Sequence, residues 1–121
     1  MSDIQTTEPS ENELIKRIIE CAQDKKADNP LALDLTNIDG PASYFVICSG
    51  QSNPQLRAIT DAIIEGCKES YGIQANGKDG SRESGWLILD YGSVLVHVLA
   101  TEQRARYALE DLWHDAKPMP A

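Results

Sequence analysis

The stretch Trp86-Leu87-Ile88-Leu89-Asp90-Tyr91-Gly92-Ser93-Val94-Leu95-Val96-His97-Val98-Leu99 decides the fold class. Two apolar runs flank Asp90-Tyr91-Gly92-Ser93, a connection short enough for a tight hairpin. Strand side chains alternate between faces, so Val94, Val96 and Val98 take one side and Leu95, His97 and Leu99 the other.

Upstream, Tyr44-Phe45-Val46-Ile47-Cys48 is a continuous apolar run, the pattern of a central strand covered on both faces. Leu31, Leu33 and Leu35 alternate with Ala32 and Asp34, giving a second strand. Two helices complete this half. Ser10-Glu11-Asn12-Glu13 has capping-box spacing and precedes Leu14, Ile15, Ile18, Ile19 and Ala22, so a helix runs from residue 11 to about 26. Ser52 to Gln55 repeats the cap spacing, with Pro54 in a favoured early position. Leu56, Ile59, Ile63, Cys67 and Tyr71 mark one face of this second helix, and Gly72 stops it. Residues 73–85 are punctuated by Gly77, Gly80 and Gly85 and leave room for an edge strand at 74–78. Downstream of the hairpin, Thr101 caps a last helix carrying Ala105, Ala108, Leu109 and Leu112, ended by Pro118. The order is α-β-β-α-(β)-β-β-α: a single α/β domain with one mixed sheet and helices packed on it. Residues 1–9 read as a flexible tail, 10–117 as the domain and 118–121 as a C-terminal tail.

Composition narrows the function. The 121 residues hold 11 Lys and Arg against 19 Asp and Glu, a net charge of −8. That balance disfavours gripping nucleic acid by its phosphates, and little direct nucleic-acid contact is expected. No run approaches a membrane span, and Cys21, Cys48 and Cys67 lack disulfide or zinc spacing, so the expectation is a cytoplasmic protein with reduced thiols.

Candidate chemistry is sparse. Cys48 and His97 are the first nucleophile–base pair to test, but both sit inside apolar strand runs with no third orienting residue, which favours packing. Asp34 and Asp90, both near strand ends, are the candidate Mg²⁺ ligands, though solvated strand-end carboxylates are commoner. Ser49-Gly50-Gln51-Ser52 joins a strand to a helix N-terminus. It matches neither phosphate-loop motif, so a turn and a cap are the favoured reading. No catalytic residue, metal site or cofactor is assigned. Trp86 opens a strand after a Gly-rich loop and Tyr91 sits at a hairpin tip. As aromatic rings at exposed strand ends they are better candidates for partner-binding anchors, because they bury much area for little lost freedom, although Trp86 could equally close the end of the core.

Leu33-Asp34-Leu35, Tyr44-Phe45-Val46-Ile47-Cys48-Ser49-Gly50, Trp86-Leu87-Ile88-Leu89-Asp90-Tyr91-Gly92, Val96-His97-Val98 and Leu109-Glu110-Asp111-Leu112-Trp113, in this order and spacing, resemble the ribosomal silencing factor family, the RsfS or Iojap-like group. The resemblance spans roughly residues 11–116. It implies a mixed α/β fold related to nucleotidyltransferases and a binding protein that is not an enzyme. It also implies docking on the large ribosomal subunit through ribosomal protein L-fourteen, with a steric block to small-subunit joining, and company with late large-subunit assembly. Carried over by motif, the partner-binding residues are Trp86, Asp90 and Tyr91, with Tyr107 on the last helix next. Ser43 and Ser93 stand where the family usually has acids, and Asp79-Gly80 where Glu-Gly is usual. Two other readings compete. One is a nucleotide-binding or nucleotidyltransferase-like enzyme, for which Asp61 lacks an acid two positions away. The other is a homodimer formed through a sheet edge or the surface around residues 86–91.

Overall fold

The computed structural model describes residues 9–36, 42–81, 84–107 and 117–118. Helix α1 spans Glu11–Asp24, strands β1 and β2 span Asp28–Asp34 and Tyr44–Gly50, and α2 spans Asn53–Tyr71. Strands β3 (Gly77–Ser81), β4 (Trp86–Asp90) and β5 (Val94–Ala100) lead into α3 (Thr101–Tyr107), and β6 is Lys117–Pro118. The sheet order is β3-β4-β5-β2-β1-β6. Among the described strands only β2 and β5 run parallel and the other neighbouring pairs are antiparallel, so the sheet is mixed as expected.

Local signals account for the helices. Ser10 Oγ accepts from the Glu13 N–H at 3.1 Å and Glu13 Oε1 accepts from the Ser10 N–H at 2.8 Å, closing the capping box. Ser52 caps α2 by accepting from the Gln55 N–H, and Gly72 ends it at φ 68°, a conformation only glycine adopts without strain. α1 stops at Asp24. The Ala27 N–H reaches the Ala22 carbonyl and the Lys26 N–H the Gln23 carbonyl, a Schellman closure with Lys26 at φ 62°.

The two sheet faces bury different sets of side chains. Leu14, Ile15, Ile18 and Ile19 of α1 and Leu56, Ile59 and Ile63 of α2 pack with Ala32, Val46, Cys48, Leu89, Val94, Val96 and Val98. On the other face, Leu33, Leu35, Phe45, Ile47 and Leu99 form a second buried cluster, bordered by half-buried Leu31, Ala42, Trp86 and Leu95. Alternation along each strand separates the two sets.

Several sequence expectations shift. β1 begins at Asp28, across Pro30, because a register irregularity between Asp28 and Leu31 absorbs the residues that look like a turn. The edge strand lies at Gly77–Ser81 rather than 74–78. The order gains β6, whose Lys117 and Pro118 pair with Asp34 and Leu33, so the expected C-terminal tail 118–121 begins with a sheet residue. Thr101 does not cap α3; its hydroxyl donates to the Gly50 carbonyl at 3.1 Å and ties α3 to the end of β2. Ala108, Leu109 and Leu112 of the expected last helix lie outside the described residues, as do residues 1–8 of the expected tail.

Candidate partner-binding face

Strand parity sets which candidate residues share a surface. Trp86, Ile88 and Asp90 alternate onto the face away from α1 and α2; Leu87, Leu89 and Tyr91 point toward the helices. The cross-strand register continues that outer face through Leu99, His97 and Leu95 of β5, then through Ile47 and Phe45 of β2 and Leu31 and Leu33 of β1. All four strands that carry it contribute a leucine, isoleucine or aromatic ring to this face.

Trp86 is half-buried at the outer end of this face. Its indole N–H donates to His97 Nδ1 at 3.1 Å, with ring centroids 6.0 Å apart. Phe45 stands against the same imidazole at 4.5 Å in an edge arrangement. An indole N–H can only donate, so His97 Nδ1 is unprotonated and the imidazole proton sits on Nε2. That nitrogen is buried and has no hydrogen-bond partner among the described residues. Burial holds the His97 pKa down to about 4, so the ring is neutral at physiological pH. Gly80 of β3, at φ 79°, lies so close to the Trp86 carbonyl that a Cβ there would overlap it, which fixes glycine beside the tryptophan.

Asp90 is half-buried at the other end of β4, and its Oδ1 accepts from the Gly92 N–H at 2.7 Å, closing the hairpin turn. Tyr91 does not join Trp86. It is 9 % exposed and packs in the helix-side core, with its phenol pKa raised chiefly by burial and then by Cys67. The expected exposed aromatic at the hairpin tip is thus a core residue, because alternation persists one residue past β4. Tyr107 closes α3, and its side chain lies outside the described residues. Ser43 and Ser93 are neighbours: the Ser93 carbonyl accepts from the Ser43 and Tyr44 N–H groups.

The other candidate constellations come apart. Cys48 faces the helices while His97 faces outward, so the sheet lies between thiol and imidazole. Burial raises the Cys48 pKa to about 12, which keeps it a thiol. Asp34 and Asp90 fall on opposite faces of the sheet, three strand spacings apart, and do not meet as metal ligands. Asp34 instead accepts from the Thr36 N–H and hydroxyl at 2.8 and 2.6 Å. Asp61 is exposed on α2 in an ion pair with Arg57 at 3.7 Å. In the Ser49-Gly50-Gln51-Ser52 loop, the Gln51 N–H is taken by Gln55 Oε1 at 2.7 Å, and Ser52 Oγ accepts from the Gln55 N–H at 3.2 Å as the helix cap. Among the described residues no group of three or more His, Cys, Asp and Glu is placed to hold a metal.

Two contacts that shape this face are not fully readable from sequence pattern. Arg104 donates through Nη1 to the Asp28 and Asn29 carbonyls at 3.1 and 2.8 Å, fastening α3 to the start of β1. The Trp86–His97 bond was legible only in part: both residues belong to the outer face by parity, but their register across the hairpin was not.

A family model described as "Ribosomal silencing factor during starvation" matches residues 7–121. The chain belongs to the ribosomal silencing factor family. A "Ribosomal silencing factor RsfS" of Bacillus subtilis is 38 % identical over 107 residues, covering 88 % of this chain and 90 % of the relative. Two crystal structures share the fold of this silencing-factor chain. One, of a Chromobacterium violaceum protein, has a TM-score of 0.79 at 28 % identity, covering 91 % of this chain and 89 % of the other. The second, of a Bacillus halodurans protein, has a TM-score of 0.77 at 32 % identity, covering 91 % and 99 %.

Proposed function

We propose that this chain is a ribosome-associated silencing protein that docks on the large subunit through ribosomal protein L-fourteen and sterically blocks small-subunit joining. The observation that carries this reading is the family match over residues 7–121, together with a relative named a ribosomal silencing factor over nearly its whole length. The outer sheet face supports it. Trp86 offers apolar area at a face whose centre is already packed, and Asp90 adds negative charge on the same side. Tyr107 remains a proposed contact, while Tyr91 contributes from within by supporting the β4–β5 hairpin. The net charge of −8 favours a basic protein on the particle over its RNA, and a ribosome-bound role implies work in the cytoplasm. A role in late large-subunit assembly would use the same surface.

The mechanism is exclusion: the bound domain occupies volume that the inter-subunit contact needs, and no bond is made or broken. An enzyme of nucleotidyltransferase type draws less support, because Asp34, Asp61 and Asp90 are separated and each is engaged elsewhere. The test is co-sedimentation of the purified protein with large subunits. Wild type should pellet with them, and Trp86→Ala should bind at least about 30-fold more weakly, the effect of truncating an aromatic anchor. Failure of the wild type to pellet overturns the reading.

A further inference from the structure

We infer that His97 is a positioning residue for the docking face: its Nδ1 accepts the Trp86 indole N–H and fixes the ring in the orientation that a protein partner engages. The inference rests on the proposed docking role of Trp86. It goes beyond that role by naming the residue that prepares the ring.

The geometry is that of a buried support beneath a half-buried ring. His97 is 5 % exposed in the middle of β5, and Phe45 of the parallel neighbour β2 stands edge-on against it. The imidazole is therefore held on the side away from Trp86 before any partner arrives. Trp86 opens β4, directly after a turn, and is only half-buried, so packing alone restrains it less. In the register Trp86 lies opposite Leu99 and His97 opposite Ile88, so the 3.1 Å bond runs diagonally across the hairpin, within reach of a large ring. Ordering a free side chain at an interface opposes binding; a ring already held by a hydrogen bond has lost that freedom beforehand.

The requirement is specific: an acceptor at the position of Nδ1. Asparagine at residue 97 places its amide oxygen near that position, glutamine carries it about one bond further out, and leucine has none. Large-subunit binding is measured for wild type and for His97→Asn, His97→Gln, His97→Leu and Trp86→Ala. The Trp86 indole N–H is followed by NMR in each folded variant, assigned by its absence from Trp86→Phe. Expected is that His97→Asn binds within about twofold of wild type, while His97→Gln and His97→Leu bind about fivefold more weakly, the effect of one lost neutral hydrogen bond. In the last two the indole N–H should also shift and exchange faster with solvent. Equal binding by His97→Asn, His97→Gln and His97→Leu overturns the inference. If Trp86→Ala binds like wild type, the docking site itself is wrong; if Trp86→Ala binds weakly and His97→Leu does not, only the positioning role fails. Should no variant at position 97 fold, the native protein decides: an indole N–H protected in the free protein supports the role, and rapid exchange overturns it.

Discussion

Two aromatic residues five apart in the chain have opposite fates, and parity alone separates them. Trp86 lies on the outer face and Tyr91 in the helix-side core. The sequence reading placed both at exposed strand ends, since a hairpin turn between Asp90 and Val94 looks like the end of alternation. In the structure the Tyr91 N–H still bonds the Val94 carbonyl at 2.9 Å, so the ladder continues and the ring is carried inward. Tyr91→Phe should therefore leave large-subunit binding within about twofold of wild type, since only a buried hydroxyl near Cys67 is lost. A loss comparable to that of Trp86→Ala, measured by co-sedimentation, would contradict this. His97 makes a prediction of its own. Its folded pKa of about 4 lies below the unfolded value near 6.5, so between these values the unfolded chain binds more protons. Stability from this group is complete above about pH 6.5, falls as pH drops through the window and levels off below pH 4. By pH 5 the loss is about 2 kcal/mol. Denaturant titrations at pH 7.5 and pH 5 should show this loss in wild type and not in His97→Asn.

At the scale of elements, the helices were the most legible parts because their signals are local. The capping boxes, the apolar stripes and Gly72 lie within a turn or two of the boundaries they set. The strands were legible in the centre and not at the edges. β6 is two residues long and exists through its pairing with β1, a contact that no local pattern announces. β3 carries Gly77 and Gly80, residues that weaken strand propensity, and its position comes from its pairing with β4. The end of α1 shows the same limit, since Lys26 occupies the left-handed position where glycine is usual. Lys26→Gly should stabilise the protein by about 0.5–1 kcal/mol, read as a raised denaturant midpoint at unchanged slope. The contact between α1 and α2 depends on Gly66, which is buried; a Cβ there would overlap the Cys21 sulfur. Gly66→Ala should cost about 1–3 kcal/mol by overpacking. Adding Cys21→Ala should restore part of that loss, whereas additive losses in the double variant would show that the two do not meet.

For the whole molecule, the mixed sheet with helices packed on it could be read from the order of periodic segments. The strand order β3-β4-β5-β2-β1-β6 could not, because the parallel pairing of β2 with β5 joins runs that lie far apart in the chain. The candidate site was legible as a list of residue types, and the structure sorted that list by face: Trp86 and Asp90 outward, Tyr91 inward. The acidic balance acts at this scale too. A net charge of −8 on a domain proposed to bind an RNA-rich particle would favour docking on a basic protein surface, with half-buried Trp86 at the border of the packed outer face as the proposed contact. The central claim is that the bound domain excludes the small subunit. The direct measurement is the fraction of joined ribosomes formed from purified large and small subunits as this protein is added. Wild type should lower that fraction in proportion to its occupancy of the large subunit, and Trp86→Ala should leave it unchanged at the same concentration. A fraction unmoved by saturating wild-type protein would contradict the account.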